Sequence, residues 1–156
     1  MVVAPAVEAA EQQGVDLVFS QESWIYTNTT VNFRRVAERL GSSRVKVMWT
    51  PADNLCSGEP QVETAGFLNV RPYLHSLHLK NLRIFDGAKL QFEYCSLADG
   101  EVDYVAVLRN LRDSRIDAVL ALAAHFQPPG GSNVDAMYRN AAELREMIAR
   151  VEAEDL

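Results

Sequence analysis

His75-Ser76-Leu77-His78-Leu79-Lys80 is the stretch that decides how this chain folds. Apolar and polar residues alternate along it with a period of two, the signature of a strand with two different faces. Ser76, His78 and Lys80 share one face, and Leu77 and Leu79 share the other. Helices packed on the leucine face would leave His78 and Lys80 pointing the opposite way, near the carboxyl end of the strand. A histidine and a lysine side by side on a buried strand are costly unless they are used in chemistry or paired.

Working outward, three more short apolar runs read as buried strands: Val15–Gln21, Val45–Trp49 and Ala118–Ala123. They are rich in Val, Leu and Ala, as strands covered on both faces require. Helical patterns lie between them. Ala6–Gln13 has Pro5 near its start and Gly14 just past its end. Val31–Leu40 gathers Phe33, Val36, Ala37 and Leu40 on one face and stops at Gly41. Gln61–Tyr73 is a less regular helix, interrupted by Gly66 and Pro72, and Asp103–Arg112 turns Val107, Leu108 and Leu111 towards a core. In the last helix Val134, Met137, Ala141, Leu144, Ile148 and Val151 recur every three or four residues, with Ser132 as N-cap. Alternating strands and helices of this kind imply an α/β fold of parallel strands with helices outside. No linker divides the chain, so residues 1–156 read as a single domain. In such folds the loops after the strand carboxyl ends hold the site.

Composition narrows the function classes. The chain has 156 residues, 48% of them hydrophobic, ample for a packed core. A formal charge of −6 argues against nucleic acid or an anionic membrane surface as partner. No apolar run reaches the roughly 18–20 residues that span a bilayer. The start of the chain lacks a basic leader and soon turns acidic, which is unlike a secretory signal. Cys56 and Cys95 stand apart with no CxxC spacing, which suits a reduced, cytoplasmic setting and structural thiols.

The candidate site residues sit at the strand ends. Glu22 ends the first strand and is either a solvated loop carboxylate or a metal ligand or base. Asp53 follows the second strand, where capping a turn is its structural alternative. His125 follows the fourth strand, as a ligand contact or a structural rim histidine. Arg83 begins the loop after the third strand and would reach a phosphate or carboxylate, with a surface salt bridge as the alternative. No GxGxxG, P-loop, GxSxG or HExxH pattern occurs, so nucleotide, serine-hydrolase and zincin chemistries lack support.

At these residues the sequence resembles the xylose-isomerase-like superfamily of TIM barrels, which includes sugar and sugar-phosphate isomerases and epimerases. Leu77-His78-Leu79-Lys80-Asn81-Leu82-Arg83 is similar to that family's seventh-strand motif, an aliphatic-His-x-Lys-Asp run before an arginine. Gly100-Glu101-Val102-Asp103-Tyr104, with Leu108-Arg109-Asn110-Leu111-Arg112, looks like the segment entering its seventh helix. Ile116–Phe126 resembles the eighth strand, Thr50-Pro51-Ala52-Asp53 the sixth-strand motif, and Leu17–Glu22 the fifth strand. A full barrel of this type has eight strands in about 250 residues. The resemblance therefore implies the C-terminal half, strands five to eight.

That resemblance implies a sugar-like ligand and a divalent metal (Mn²⁺, Mg²⁺, Co²⁺ or Zn²⁺) held by Glu, Asp, His and Glu from the four strands. Glu22 matches the first ligand and would also be the catalytic base, and His78 matches the third. Lys80, Arg83 and His125 would contact substrate. The departures are specific. Thr50 stands where the family has Asp, with Asp53 lying nearby as a substitute ligand; Ala123 stands where it has the second Glu; and Asn81 replaces the Asp after the lysine. A two-carboxylate proton transfer cannot operate with Ala123, and two protein ligands fall below the usual three for zinc.

Two functions follow as expectations. One is a metal-dependent sugar or sugar-phosphate isomerase/epimerase with a degraded metal site. The other is a non-catalytic homologue, or a barrel fragment, that binds a sugar-like ligand or a partner chain. Four parallel strands leave two open edges, so homodimerisation, or pairing with a missing N-terminal half, is expected; a flattened, flavodoxin-like open sheet is the alternative.

Overall fold

The computed structural model describes residues 2–85 and 91–154. They form two compact units, Met1–Leu77 and His78–Leu156.

In the first unit, α1 (Ala4–Gln13) leads into β1 (Leu17–Ser20), α2 (Thr30–Leu40) into β2 (Val45–Trp49), and α3 (Pro51–Cys56) into a string of short turns before β3 (Leu74–Leu79). Helix α2 starts where Thr29 accepts from the Asn32 amide and stops at Gly41, whose φ of +64° few side chains tolerate. The buried carboxylate of Glu59 adds a second cap, accepting from the Thr30 amide at 2.8 Å and from the Thr30 hydroxyl. β1 and β2 pair in parallel from Leu17↔Val45 to Ser20↔Met48, and β2 pairs in parallel with β3 through Met48↔Ser76 and Trp49↔Leu77. Val45, Val47 and Trp49 are buried while Lys46 and Met48 are half-buried, which is the alternation expected of β2. Phe33 and Trp49 anchor this core, Phe33 edge-on to Tyr73 at 5.5 Å between centroids and Trp49 tilted against Phe67 at 6.0 Å. The Trp49 indole N–H donates to Asn54 Oδ1 at 2.9 Å, so the buried ring leaves no donor orphaned.

The helix expected over Gln61–Tyr73 is instead three pieces: a π turn (Val62–Gly66), α4 (Phe67–Val70) and a 3₁₀ turn (Arg71–Tyr73). Gln61 has a φ of +55°, and Pro72 cannot donate in a continuing helix. These two residues break the run at either end.

The second unit takes the end of β3 and adds β4 (Asn81–Phe85), β5 (Gln91–Cys95), α5 (Tyr104–Asp113), β6 (Val119–Leu122) and α6 (Asn133–Ala153). The four-stranded parallel sheet has the order β1-β2-β3-β6, flanked by helices, while β4 and β5 form a separate antiparallel pair. Ala123 N–H donates to Leu79 O at 3.0 Å beside β6. The four expected strands all appear, each within two residues of its expected limits, but β1 and β6 are half-buried rather than buried, with Val18 and Val119 exposed. Ser132 caps α6 as expected, in a reciprocal capping box with Asp135.

Asn81, fully buried, organises this unit. Its Nδ2 donates to Leu97 O at 2.8 Å and to Val102 O at 3.0 Å, and its Oδ1 accepts from the Leu82 and Val102 amides at 3.0 Å. Gly100 packs so close that a Cβ there would lie 2.3 Å from Asn81 Cγ. The Tyr104 hydroxyl donates to Lys80 O at 2.6 Å, extending the knot to the end of β3.

Asn81→Asp turns an acceptor on the two carbonyls that now receive N–H bonds. It is expected to destabilise the chain by about 3 kcal/mol. Urea unfolding followed by circular dichroism checks this; an unchanged midpoint would show that the amide is not the tie.

Candidate functional site

In the first unit β1 ends at Ser20, so Glu22 lies two residues beyond the strand. Its carboxylate accepts from the Ser20 hydroxyl at 3.3 Å. The intervening Gln21 is fully buried; its amide Nε2 donates to Thr27 O at 3.2 Å, while its Oε1 has no hydrogen-bond partner. Thr50 follows β2 fully buried, its hydroxyl also without a partner. Asp53 is not in an open turn. It is almost fully buried in the first turn of α3, behind Pro51, where a carboxylate suits the positive end of the helix.

In the second unit four side chains gather. His78 lies edge-on to His125, centroids 6.2 Å apart at 69°. His125 in turn lies against Tyr94 at 4.9 Å and 33°. Lys80 is only 3% exposed, and its ammonium stands 5.7 Å from the Tyr94 ring centroid, within cation–π range. Phe92 meets Tyr94 edge-on at 5.5 Å. Three of the residues expected from sequence, His78, Lys80 and His125, are thus brought together, and Tyr94 on β5 joins them.

Arg83 corrects an expectation: it sits within strand β4, not at the start of a loop. Its Nε donates to Asp99 O at 3.0 Å and its guanidinium lies 3.6 Å from the Asp99 carboxylate. Arg139 from α6 shares that carboxylate at 2.8 Å. The hairpin and Tyr94 were missed, although a signal existed: Asp86-Gly87 separates two alternating runs, a common hairpin turn pair. Asp86 and Gly87 themselves lie outside the described residues.

A cavity of about 400 Å³ lies beside the cluster, its lining including Arg83, Glu93, Tyr94, Ser96, His125 and Arg139. Arg83 and Arg139 are opposed there by Glu93 and Asp99, so the cavity carries mixed charge and many donors and acceptors. Ala123 contributes only backbone, its carbonyl accepting from Asn140 Nδ2 at 3.3 Å.

The metal implied by the sequence resemblance needs donors. Glu22 and Asp53 belong to the first unit and His78 to the second, and within neither unit do three His, Cys, Asp or Glu side chains of the described residues gather as a metal group. Thr50 and Ala123 supply no carboxylate. The donor set does not fit a resident divalent cation, for which three protein ligands are the usual minimum at a catalytic zinc.

No family model and no curated protein matches the chain. Solved structures do. The chain superposes on a xylose isomerase-like TIM barrel protein from Mycobacterium smegmatis in complex with magnesium, with a TM-score of 0.72 and 16% identity over 96% of this chain and 49% of that one. It matches mannonate dehydratase from Streptococcus suis with a TM-score of 0.76 and 14% identity, over 98% of this chain and 48% of that one. It matches an L-ribulose 3-epimerase with a TM-score of 0.71 and 13% identity, over 98% and 54%. The chain spans about half the length of these structures and has the fold of half a TIM barrel. Among the described residues no helix is long and apolar enough to cross a membrane.

Cys95 also lines the cavity. Burial pushes its thiol up to about 11, with Arg83 opposing and the carboxylates of Asp99 and Glu93 reinforcing the shift. Below that value the thiol is neutral and a poor nucleophile. Alkylation of Cys95 by iodoacetamide, followed by peptide mass spectrometry, is therefore expected to be slow at pH 8 and to accelerate up to about pH 11. A plateau already reached by pH 9 would contradict this environment.

Proposed function

We propose that the chain binds a small, uncharged, sugar-like ligand at the His78–His125–Tyr94–Lys80 cluster, without a resident metal. The observation that carries this reading is that cluster, with Tyr94 and His125 stacked beside a cavity of about 400 Å³. Aromatic faces accept the C–H face of a sugar ring, while planar charged side chains such as Arg83 and Glu93 suit its hydroxyls. The mixed charge of the lining favours a neutral polyol over an anion.

The residues divide the work simply. Tyr94 and His125 provide the apolar platform, backed by Lys80 and His78, and Arg83 and Glu93 take outward hydroxyls. Buried donors that a hydroxyl satisfies discriminate strongly against a ligand lacking that hydroxyl.

The second reading is turnover, as a metal-dependent sugar isomerase or epimerase with Glu22 as base and ligand and with His78 and Asp53 as further ligands. What supports it is the naming of the structural relatives, one a magnesium complex and another an epimerase. It requires a donor beyond those this chain brings together, and a partner chain, either a second copy or the other half of a barrel, is its natural source.

Calorimetric titration of the full chain with ketohexoses and pentoses, with and without EDTA, separates the readings. Binding unaffected by EDTA and weakened on the order of tenfold in Tyr94→Ala, roughly 1.4 kcal/mol, is expected. Binding that vanishes with EDTA, together with solvent deuterium entering the sugar in a Glu22-dependent manner, would replace the first reading with the second. No binding to any sugar would overturn the first.

A further inference from the structure

The first unit has a cavity of its own on the outer side of α2, about 470 Å³, lined by Tyr26, Arg35, Val36 and Arg39. Arg35 and Arg39 are one helical turn apart, so their Cβ atoms stand roughly 5–6 Å from each other on one face. In the same unit Arg34 pairs with Glu38 at 2.7 Å and Arg44 with Asp16 at 3.3 Å. Arg35 and Arg39 make no ion pair among the described residues, and no carboxylate lines the cavity. Two guanidiniums without an ion pair thus share one cavity in a chain of charge −6. They form a local positive field and a pair of donor forks.

Tyr26 supplies the opposite wall. It is 75% exposed, yet its loop is stapled. Ile25 N–H donates to Glu22 O, Asn28 N–H to Ile25 O, Gln21 Nε2 to Thr27 O, and the Thr27 hydroxyl to Ser20 O. A large ring held at the surface by a pre-ordered loop loses little further entropy on contact. The negative end of the α2 dipole near Arg39 opposes an anion, but charge-assisted hydrogen bonds from two guanidiniums outweigh it.

We infer that this cavity binds a phosphate monoester with an apolar or aromatic body, the phosphate between Arg35 and Arg39 and the body against Tyr26 and Val36. The site lies on residues separate from those of the sugar-like ligand proposed above and stands independently of that reading. Carboxylate anions share part of the chemistry, but a phosphate offers three oxygens to two forks.

The test is calorimetric titration of the full chain with phenyl phosphate, inorganic phosphate and benzoate at one ionic strength. Saturable one-to-one binding is expected, with phenyl phosphate tighter than both other probes. Arg35→Ala and Arg39→Ala should each weaken both phosphates on the order of tenfold or more. Tyr26→Ala should weaken phenyl phosphate and spare inorganic phosphate. All three positions are solvent-facing, so unchanged urea midpoints are expected and confirm that the variants fold. No saturation by phenyl phosphate up to about 10 mM would overturn the proposal. So would undiminished binding in the Arg35→Ala/Arg39→Ala double variant, or benzoate binding as tightly as phenyl phosphate.

Discussion

The second unit depends on one side chain, the amide of Asn81. It sits immediately after the strand that bears His78 and Lys80, and its two ends bond four backbone groups at Leu82, Leu97 and Val102. Only an amide does this. A carboxylate lacks the donors for Leu97 O and Val102 O, and an aliphatic side chain leaves all four groups buried and unpaired, at about 1–3 kcal/mol each. Gly100 is part of the same constraint, since any side chain there would overlap Asn81. The knot fixes where β4 leaves β3 and where the chain returns towards α5, and so it sets the position of the hairpin that carries Tyr94.

What could be read in the sequence was what local periodicity encodes. The strands around Val45–Trp49 and Leu77–Leu79 have alternating or continuous apolar patterns dictated by cover on their faces, and these survive in the structure. The last helix announced itself through three-and-four spacing and Ser132, but the face it buries is Ala136, Asn140, Leu144 and Val151, while Val134 and Met137 of the expected stripe are exposed. The turns over Val62–Tyr73 were harder because their pattern is helical while Gln61 and Pro72 set the backbone against a continuous helix. The β4–β5 pair was hidden for another reason. Arg83, Glu93 and Phe92 face solvent to a large extent, so neither strand shows the apolar run by which a buried strand is recognised.

The site was legible to the same degree. His78 and Lys80 stand out because polar residues on a buried strand need an explanation, and His125 because it follows a strand. Tyr94 does not stand out, since its role arises only when β5 folds back against the end of β3 and brings its ring between an ammonium and an imidazole. No spacing rule connects Lys80 with a tyrosine fourteen residues on. Arg83 was recognised as a candidate, but its sharing of Asp99 with Arg139 of α6 is a tertiary fact.

Lys80 is the charge that the second unit has to accommodate. The residue is only 3% exposed, and its ammonium stands 5.7 Å from the Tyr94 ring centroid, so the cost of burying the charge is offset in part by the ring. Thr50 and Ala123 are uncharged at the two strand ends where the sequence resemblance implies carboxylates. On the reading proposed above, an ammonium held in this way would attract the electron-rich oxygens of a neutral ligand without a metal to polarise them.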